Sequence, residues 1–155
     1  MARYRATCDW TLAEPGEDFL KGRYGRGHTV VFGSGVRVPG TASAQVVGNR
    51  WAAPEAVDPE EMLVASLSQC HMLTFLHKAR EAGFVVTRYR DEAEGVMEKF
   101  DGDRMRVTRV TLRPEIGYEG RTPTEAERDA LHHAAHHECF IANSVKTEVI
   151  VEDRS

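Results

Sequence analysis

Lysine is scarce in this 155-residue chain. Of its 20 basic residues only four are Lys, and no Lys/Arg run is long enough to track a phosphate backbone. With a net charge of −4, nucleic-acid binding is disfavoured. Long hydrophobic runs are missing as well. The most apolar stretch, Met62 to Leu76, is broken by Ser66, Ser68, Gln69 and His71. As a helix it would span roughly 22 Å, short of the ~30 Å hydrocarbon core of a bilayer. The opening Met1-Ala2-Arg3-Tyr4-Arg5 has no apolar core of a signal peptide. These absences predict a soluble, cytoplasmic protein with neither a membrane nor a nucleic acid as partner. Cysteine is sparse and odd in number: Cys8, Cys70 and Cys139. Such a count argues against a secreted disulfide framework. In a reducing compartment these residues are buried filler, metal ligands or reactive thiols.

An apolar fraction of 41% beside 28% charged residues suffices for a core, and the length suits a single domain over 1–155. Arg3 to Leu12 carries Tyr4, Ala6, Cys8, Trp10 and Leu12 at period two. That predicts a half-buried strand with Cys8 on its core face. Glu14-Pro15-Gly16-Glu17-Asp18 reads as a polar turn. His28–Phe32 and Val36–Ala42, joined by Gly33-Ser34-Gly35, read as a hairpin. Ser43 to Val57 holds Trp51 and Pro54 without a period, which predicts a long and functional loop.

Asp58-Pro59-Glu60-Glu61 is a helix start, with Asp58 as cap, Pro59 at the first helical position and Glu61 closing a capping box. The helix should run to Ala82 and stop at Gly83. It is apolar nearly all round through four turns, which predicts a buried central helix. Val85–Phe100 and Met105–Tyr118 read as two long strands around an Asp101-Gly102-Asp103 turn. Thr122, with Glu125 three residues on, reads as the cap of a second helix reaching about Glu138, and Val145–Val151 as a last strand. Strands and helices segregate, so the predicted class is α+β with a mostly antiparallel sheet. Cover for the central helix predicts a dimer.

Three groups of residues carry chemistry. Cys70 lies midway along the central helix and Cys139 just past the second. They suit a pair of structural core cysteines. The alternative is a redox pair, in which a thiolate is oxidised to sulfenic acid and a second thiol resolves it to a disulfide. Cys70 sits too far inside its helix to use the N-terminus, so a reactive thiolate there needs a cation, and Arg stays charged when buried. Second, His132, His133, His136, His137 and Cys139 contain i, i+4 His pairs that can hold Zn²⁺. However, four histidines in six residues cover too much of the helix circumference for all to converge. Third, Lys21-Gly22-Arg23-Tyr24-Gly25-Arg26-Gly27-His28 is a glycine-rich loop with two arginines. It reads as a solvated loop or as the source of that cation.

At these residues the chain resembles the OsmC/Ohr family of osmotically inducible and organic hydroperoxide resistance proteins. Asp58-Pro59-Glu60 followed ten residues later by Cys70 is similar to the family's helix start and peroxidatic cysteine, and Glu138-Cys139-Phe140-Ile141-Ala142-Asn143 to the segment with its second cysteine. The element order agrees with the family's intertwined α+β homodimer. The resemblance implies that Cys70 attacks the peroxide, that Cys139 resolves, and that Glu60 holds a catalytic arginine. The family's arginine comes from the loop before the second strand. That loop here holds both Arg26, which directly precedes Gly27-His28, and Arg23, the alternative.

The function so implied is a thiol-dependent peroxidase for organic hydroperoxides, with hydrogen peroxide as a further substrate and no metal, haem or flavin. Arg26 would lower the Cys70 pKa and bind the peroxide, in a bidentate pair with Glu60. Trp51 would help cover the substrate. A lipoyl protein, thioredoxin or small thiol would act as reductant. Packing two central helices across a two-fold axis would bring Glu60 of one chain to Cys70 of the other. The rival is a non-catalytic metal- or ligand-binding protein using His132 to Cys139.

Overall fold

Gly33-Ser34-Gly35 turns the chain back on itself, with Gly35 at φ +87°, and this fixes the hairpin read from the sequence. A computed structural model describes residues 1–13 and 18–155. The polar turn expected at Glu14–Glu17 lies outside the described residues. The chain forms two compact units, Met1–Met62 and Leu63–Ser155.

In the first unit, β1 (Ala6–Asp9), β2 (His28–Phe32) and β3 (Arg37–Gly40) form an antiparallel sheet in that order. Val30 of β2 is buried and pairs with Cys8 on one side and Val38 on the other. Contrary to expectation, Cys8 is exposed, as is every residue of β1. The period-two alternation is there, but β1 is a short edge strand, and alternation reports burial only where a second layer covers one face. Gly40 backs onto the His28 ring: a Cβ there would stand 2.3 Å from His28 Nε2 and force the ring to move. The expected loop after Ser43 begins with a single-turn helix, α1 (Ala44–Val47). Ser43 caps it by accepting from Gln45 N–H at 3.4 Å, and Gly48 ends it at φ +80°.

The long helix α2 (Pro59–Glu81) starts as the sequence specifies. Asp58 Oδ1 accepts from Glu61 N–H at 2.8 Å, and Glu61 Oε2 from Asp58 N–H at 3.2 Å. Gly83, at φ +81°, stops it as Phe84 N–H reaches back to Ala79 O at 2.9 Å. Within one chain its burial is a single i, i+4 stripe of Leu67, His71, Phe75 and Ala79, while Leu73 stays 60% exposed.

The two long strands each divide. β4 (Val85–Asp91) pairs with β7 (Pro114–Glu119), and β5 (Glu94–Asp101) with β6 (Arg104–Leu112). Pro114 has no N–H, and Arg113 N–H turns aside to Asp91 Oδ1 at 2.6 Å, so the ladder breaks there. Helix α3 (Glu125–Glu138) begins two residues later than expected. Its capping box is Thr124 with Glu127, not Thr122 with Glu125, and Arg121 holds the Glu127 carboxylate in place. The last strand, β8 (Glu148–Val151), joins β6 in parallel, so the second unit mixes one parallel pairing into antiparallel sheets. Phe75, Ala79, Phe84, Ile116, Leu131 and Ala135 form one core cluster, and Leu67, Val107, Val110 and Leu112 another.

Candidate active site

Cys70 sits on α2, three residues after the buried Leu67, and is half-buried. Cys139 is the C-cap of α3 and is 1% exposed. The chain turns sharply there through a short 3-10 turn, Ala142–Ser144. Asn143 clasps the turn, its Nδ2 donating to His137 O at 2.8 Å and to Cys139 O at 3.0 Å. Ala142 N–H points at Cys139 Sγ, 3.4 Å away.

These local features set the Cys139 thiol beside that of Cys70, close enough for the two to interact. Burial, and then the Cys70 contact, push the Cys139 thiol up to about 11, against the pull of the Ala142 and Ile141 N–H groups. Cys139 is therefore a protonated, enclosed thiol at neutral pH, and Cys70 is the member of the pair that a reagent can reach. Two neighbouring thiols of this kind have the chemistry to pass between dithiol and disulfide.

The first unit holds a separate pocket of about 450 Å³. Arg26, His28 and Glu60 line it, with Trp10, Phe19 and Tyr24 as an aromatic wall. The Arg26 guanidinium lies 3.5 Å over the Tyr24 ring and donates to the carbonyls of Tyr24 and Gly22. Arg23 is exposed, lies outside this lining, and pairs its backbone with Asp18. Among the described residues no ion pair joins Glu60 to Arg26 within one chain, where the backbone carbonyls and the Tyr24 ring hold the guanidinium. Trp51 contributes its carbonyl, which accepts from Arg26 N–H at 2.9 Å. Its ring stacks under Arg50 instead of lining the pocket.

The histidine cluster disperses around α3. His132 is buried, whereas His133, His136 and His137 are exposed. Among the described residues no three His, Cys, Asp or Glu side chains converge as metal ligands. His132 instead joins His71 and Asp153: His71 Nε2 lies 3.0 Å from His132 Nδ1, and His132 Nε2 lies 3.3 Å from Asp153 Oδ2. Burial, followed by the neighbouring His132 and His136, lowers His71 to about 4. Sequence reasoning missed this row and the aromatic wall. The signals present were a histidine inside the apolar stretch of α2, and four aromatic or histidine residues gathered around the arginine loop.

A family model described as OsmC-like protein matches residues 52–152. No curated protein matches the chain. Among solved structures, an OsmC-like protein of unknown function from Vibrio cholerae is 40% identical, with a TM-score of 0.92 and 99% of each chain covered. An organic hydroperoxide resistance protein from Legionella pneumophila has a TM-score of 0.68 at 18% identity, covering 99% of this chain and 96% of that one. The organic hydroperoxide resistance protein OhrB of Bacillus subtilis has a TM-score of 0.69 at 16% identity, covering 99% and 98%.

Proposed function

Because the chain belongs to the OsmC-like family, which includes organic hydroperoxide resistance proteins, we propose that it reduces organic hydroperoxides through Cys70 and Cys139. The observation that supports this most directly is the contact between an accessible thiol and an enclosed one. The Cys70 thiolate attacks the terminal peroxide oxygen. The O–O bond breaks, an S–O bond forms, and the alkoxide takes a proton and leaves as alcohol. The peroxide is reduced and Cys70 becomes a sulfenic acid. Cys139 then gives up its proton and attacks that sulfur. The S–O bond breaks, the S–S bond forms, and water leaves. A dithiol, whether lipoyl protein, thioredoxin or small thiol, returns both cysteines to the reduced state.

Cys70 needs a cation to hold its thiolate, and Arg26 is the arginine assigned to that role, with Glu60 as its carboxylate partner. In this proposal both reach Cys70 from a second copy of the chain in a two-fold dimer. The aromatic wall of Trp10, Phe19 and Tyr24 would receive the organic group of the peroxide.

One equivalent of cumene hydroperoxide, and separately of hydrogen peroxide, tests this. The Cys70 thiol should disappear as a Cys70–Cys139 disulfide appears by mass spectrometry. Cys70→Ser should abolish peroxide consumption, and Cys139→Ser should stop after one turnover with a sulfenic acid on Cys70. Retention of the Cys70 thiol under excess of both peroxides would end the proposal.

A further inference from the structure

The hydrogen-bonded row His71–His132–Asp153 lies deep in the second unit and plays no part in the chemistry above. Its proton positions follow from its end. A carboxylate at Asp153 can only accept, so His132 carries its proton on Nε2 and leaves Nδ1 as a bare acceptor. His71 must then donate from Nε2 across the 3.0 Å contact. That leaves His71 Nδ1 as a lone pair, on a residue 1% exposed, without a hydrogen-bond partner among the described residues. A buried acceptor without a donor destabilises the fold. An apolar pair would pack the same space without that cost, so what the row adds is direction.

The direction matters because of what stands beside each histidine. His71 follows Cys70 on α2. His132 precedes Cys139 by seven residues on α3, two turns back along nearly the same face. Phe75 and Ala79 of α2 already share an apolar cluster with Leu131 and Ala135 of α3, and Lys78 pairs with Glu138, but apolar packing and a flexible lysine are not directional. The imidazole contact, about 10 Å along α3 from Cys139, adds a directional one. The His132 ring is itself held by Phe75, centroid to centroid at 4.5 Å, and the two imidazoles lie within 9° of parallel.

Resting on the assignment of Cys70 and Cys139 as a redox pair, we propose that His71 and His132, oriented by Asp153, form a latch that holds α2 against α3 in the register where the two cysteines can close. These are positioning residues. In the closing step Cys70 sulfenic acid and Cys139 thiol yield one disulfide and one water, and the latch sets how often the two sulfurs meet in line.

The test reads the disulfide equilibrium and uses no peroxide. In a Cys8→Ser background, the full chain is equilibrated with reduced and oxidised glutathione and the Cys70–Cys139 disulfide is quantified. His132→Asn places an amide oxygen near the position of Nδ1, and so keeps an acceptor for His71. His132→Gln extends toward Asp153 and loses that acceptor. The expected result is an equilibrium constant for closure within about twofold of wild type for the Asn variant. For the Gln variant it should fall by about fivefold or more, the worth of one buried hydrogen bond. Should His132→Gln fail to fold, His71→Leu removes the same bond from the other side and should show the same fall. Equal values in wild type and either bond-deleting variant overturn the latch. An equal loss in the Asn and bond-deleting variants also overturns it, since packing alone would then explain the effect. A wild-type chain that forms no Cys70–Cys139 disulfide overturns the redox pair itself, which is a different outcome.

Discussion

Exposure sorts the three cysteines into different chemical fates. Cys8 faces solvent, Cys70 is half-buried, and Cys139 is enclosed with its thiol raised to about 11. Reduced folded protein treated with iodoacetamide at pH 7.5 should be labelled at Cys8 and Cys70 while Cys139 stays free. Mass mapping reads this directly, and labelling of Cys139 should accelerate as the pH approaches 11. A second expectation concerns His71, whose folded pKa of about 4 lies below its unfolded 6.5. Between those values the unfolded chain binds more protons, so acid favours unfolding. Stability is fully present above pH 6.5 and falls as the pH drops toward 4, by on the order of 3 kcal/mol. His132, also lowered by burial, acts in the same direction, with Asp153, Asp129 and Arg128 around it and His136 facing His71. Urea unfolding at pH 7 and 4.5 measures the drop, which should shrink in His71→Leu. The thiol pair was legible because each cysteine stands at a marked place, one mid-helix and one after a helix end. The histidine row was not, since it joins residues 61 and 21 positions apart and leaves no local pattern.

Helices and hairpins were read best where one residue decides. Gly35, Gly83 and the Asp58–Glu61 box each fix a boundary by backbone chemistry that short sequence windows contain. The start of α3 was ambiguous because two Thr-x-x-Glu boxes overlap, and Arg121, which settles the choice, acts through a side chain. Thr124→Ala should therefore cost about 1 kcal/mol in thermal or urea unfolding, and Thr122→Ala little. The strand break at Arg113 is masked because Val110, Leu112, Ile116 and Tyr118 recur at period two through it, and only Pro114 marks the spot. The break near Glu92 falls in the charged run Arg90-Asp91-Glu92, which the expected strand overran. β5 lies so close to α2 that a Cβ on Gly95 would stand 2.6 Å from Val64 Cγ2. Gly95→Ala should destabilise by about 1–3 kcal/mol, with the loss reduced in a Gly95→Ala, Val64→Ala double variant.

For the whole molecule, the apolar residues left in solvent are informative. Leu73 on α2 is 60% exposed and Phe140, next to Cys139, is 81% exposed. A helix apolar on more faces than its own chain covers fits the proposed homodimer. Sedimentation should give a dimer at micromolar concentration. Co-refolding inactive Cys70→Ser with inactive Glu60→Ala chains should restore activity at one site per heterodimer. Heterodimers confirmed by mass yet inactive would assign Glu60 to the Cys70 of its own chain. The α+β class and the element order were legible because stretches of strand period and of helix period segregate along the chain. The division into two units was not, because α2 runs unbroken across the boundary at Met62.

The contact between the two sulfurs also bears on survival under oxidant load. A sulfenic acid beside a waiting thiol faces two competing fates: capture by its neighbour, or a second collision with peroxide that carries it irreversibly to sulfinic acid. A tethered neighbour acts as a local reagent far more concentrated than millimolar peroxide in the surroundings. Partitioning should then favour capture at any dose a cell would meet, and each oxidation would remain recoverable. Under the same excess of cumene hydroperoxide, sulfinic acid should accumulate on Cys70 in Cys139→Ser and stay negligible in the wild type.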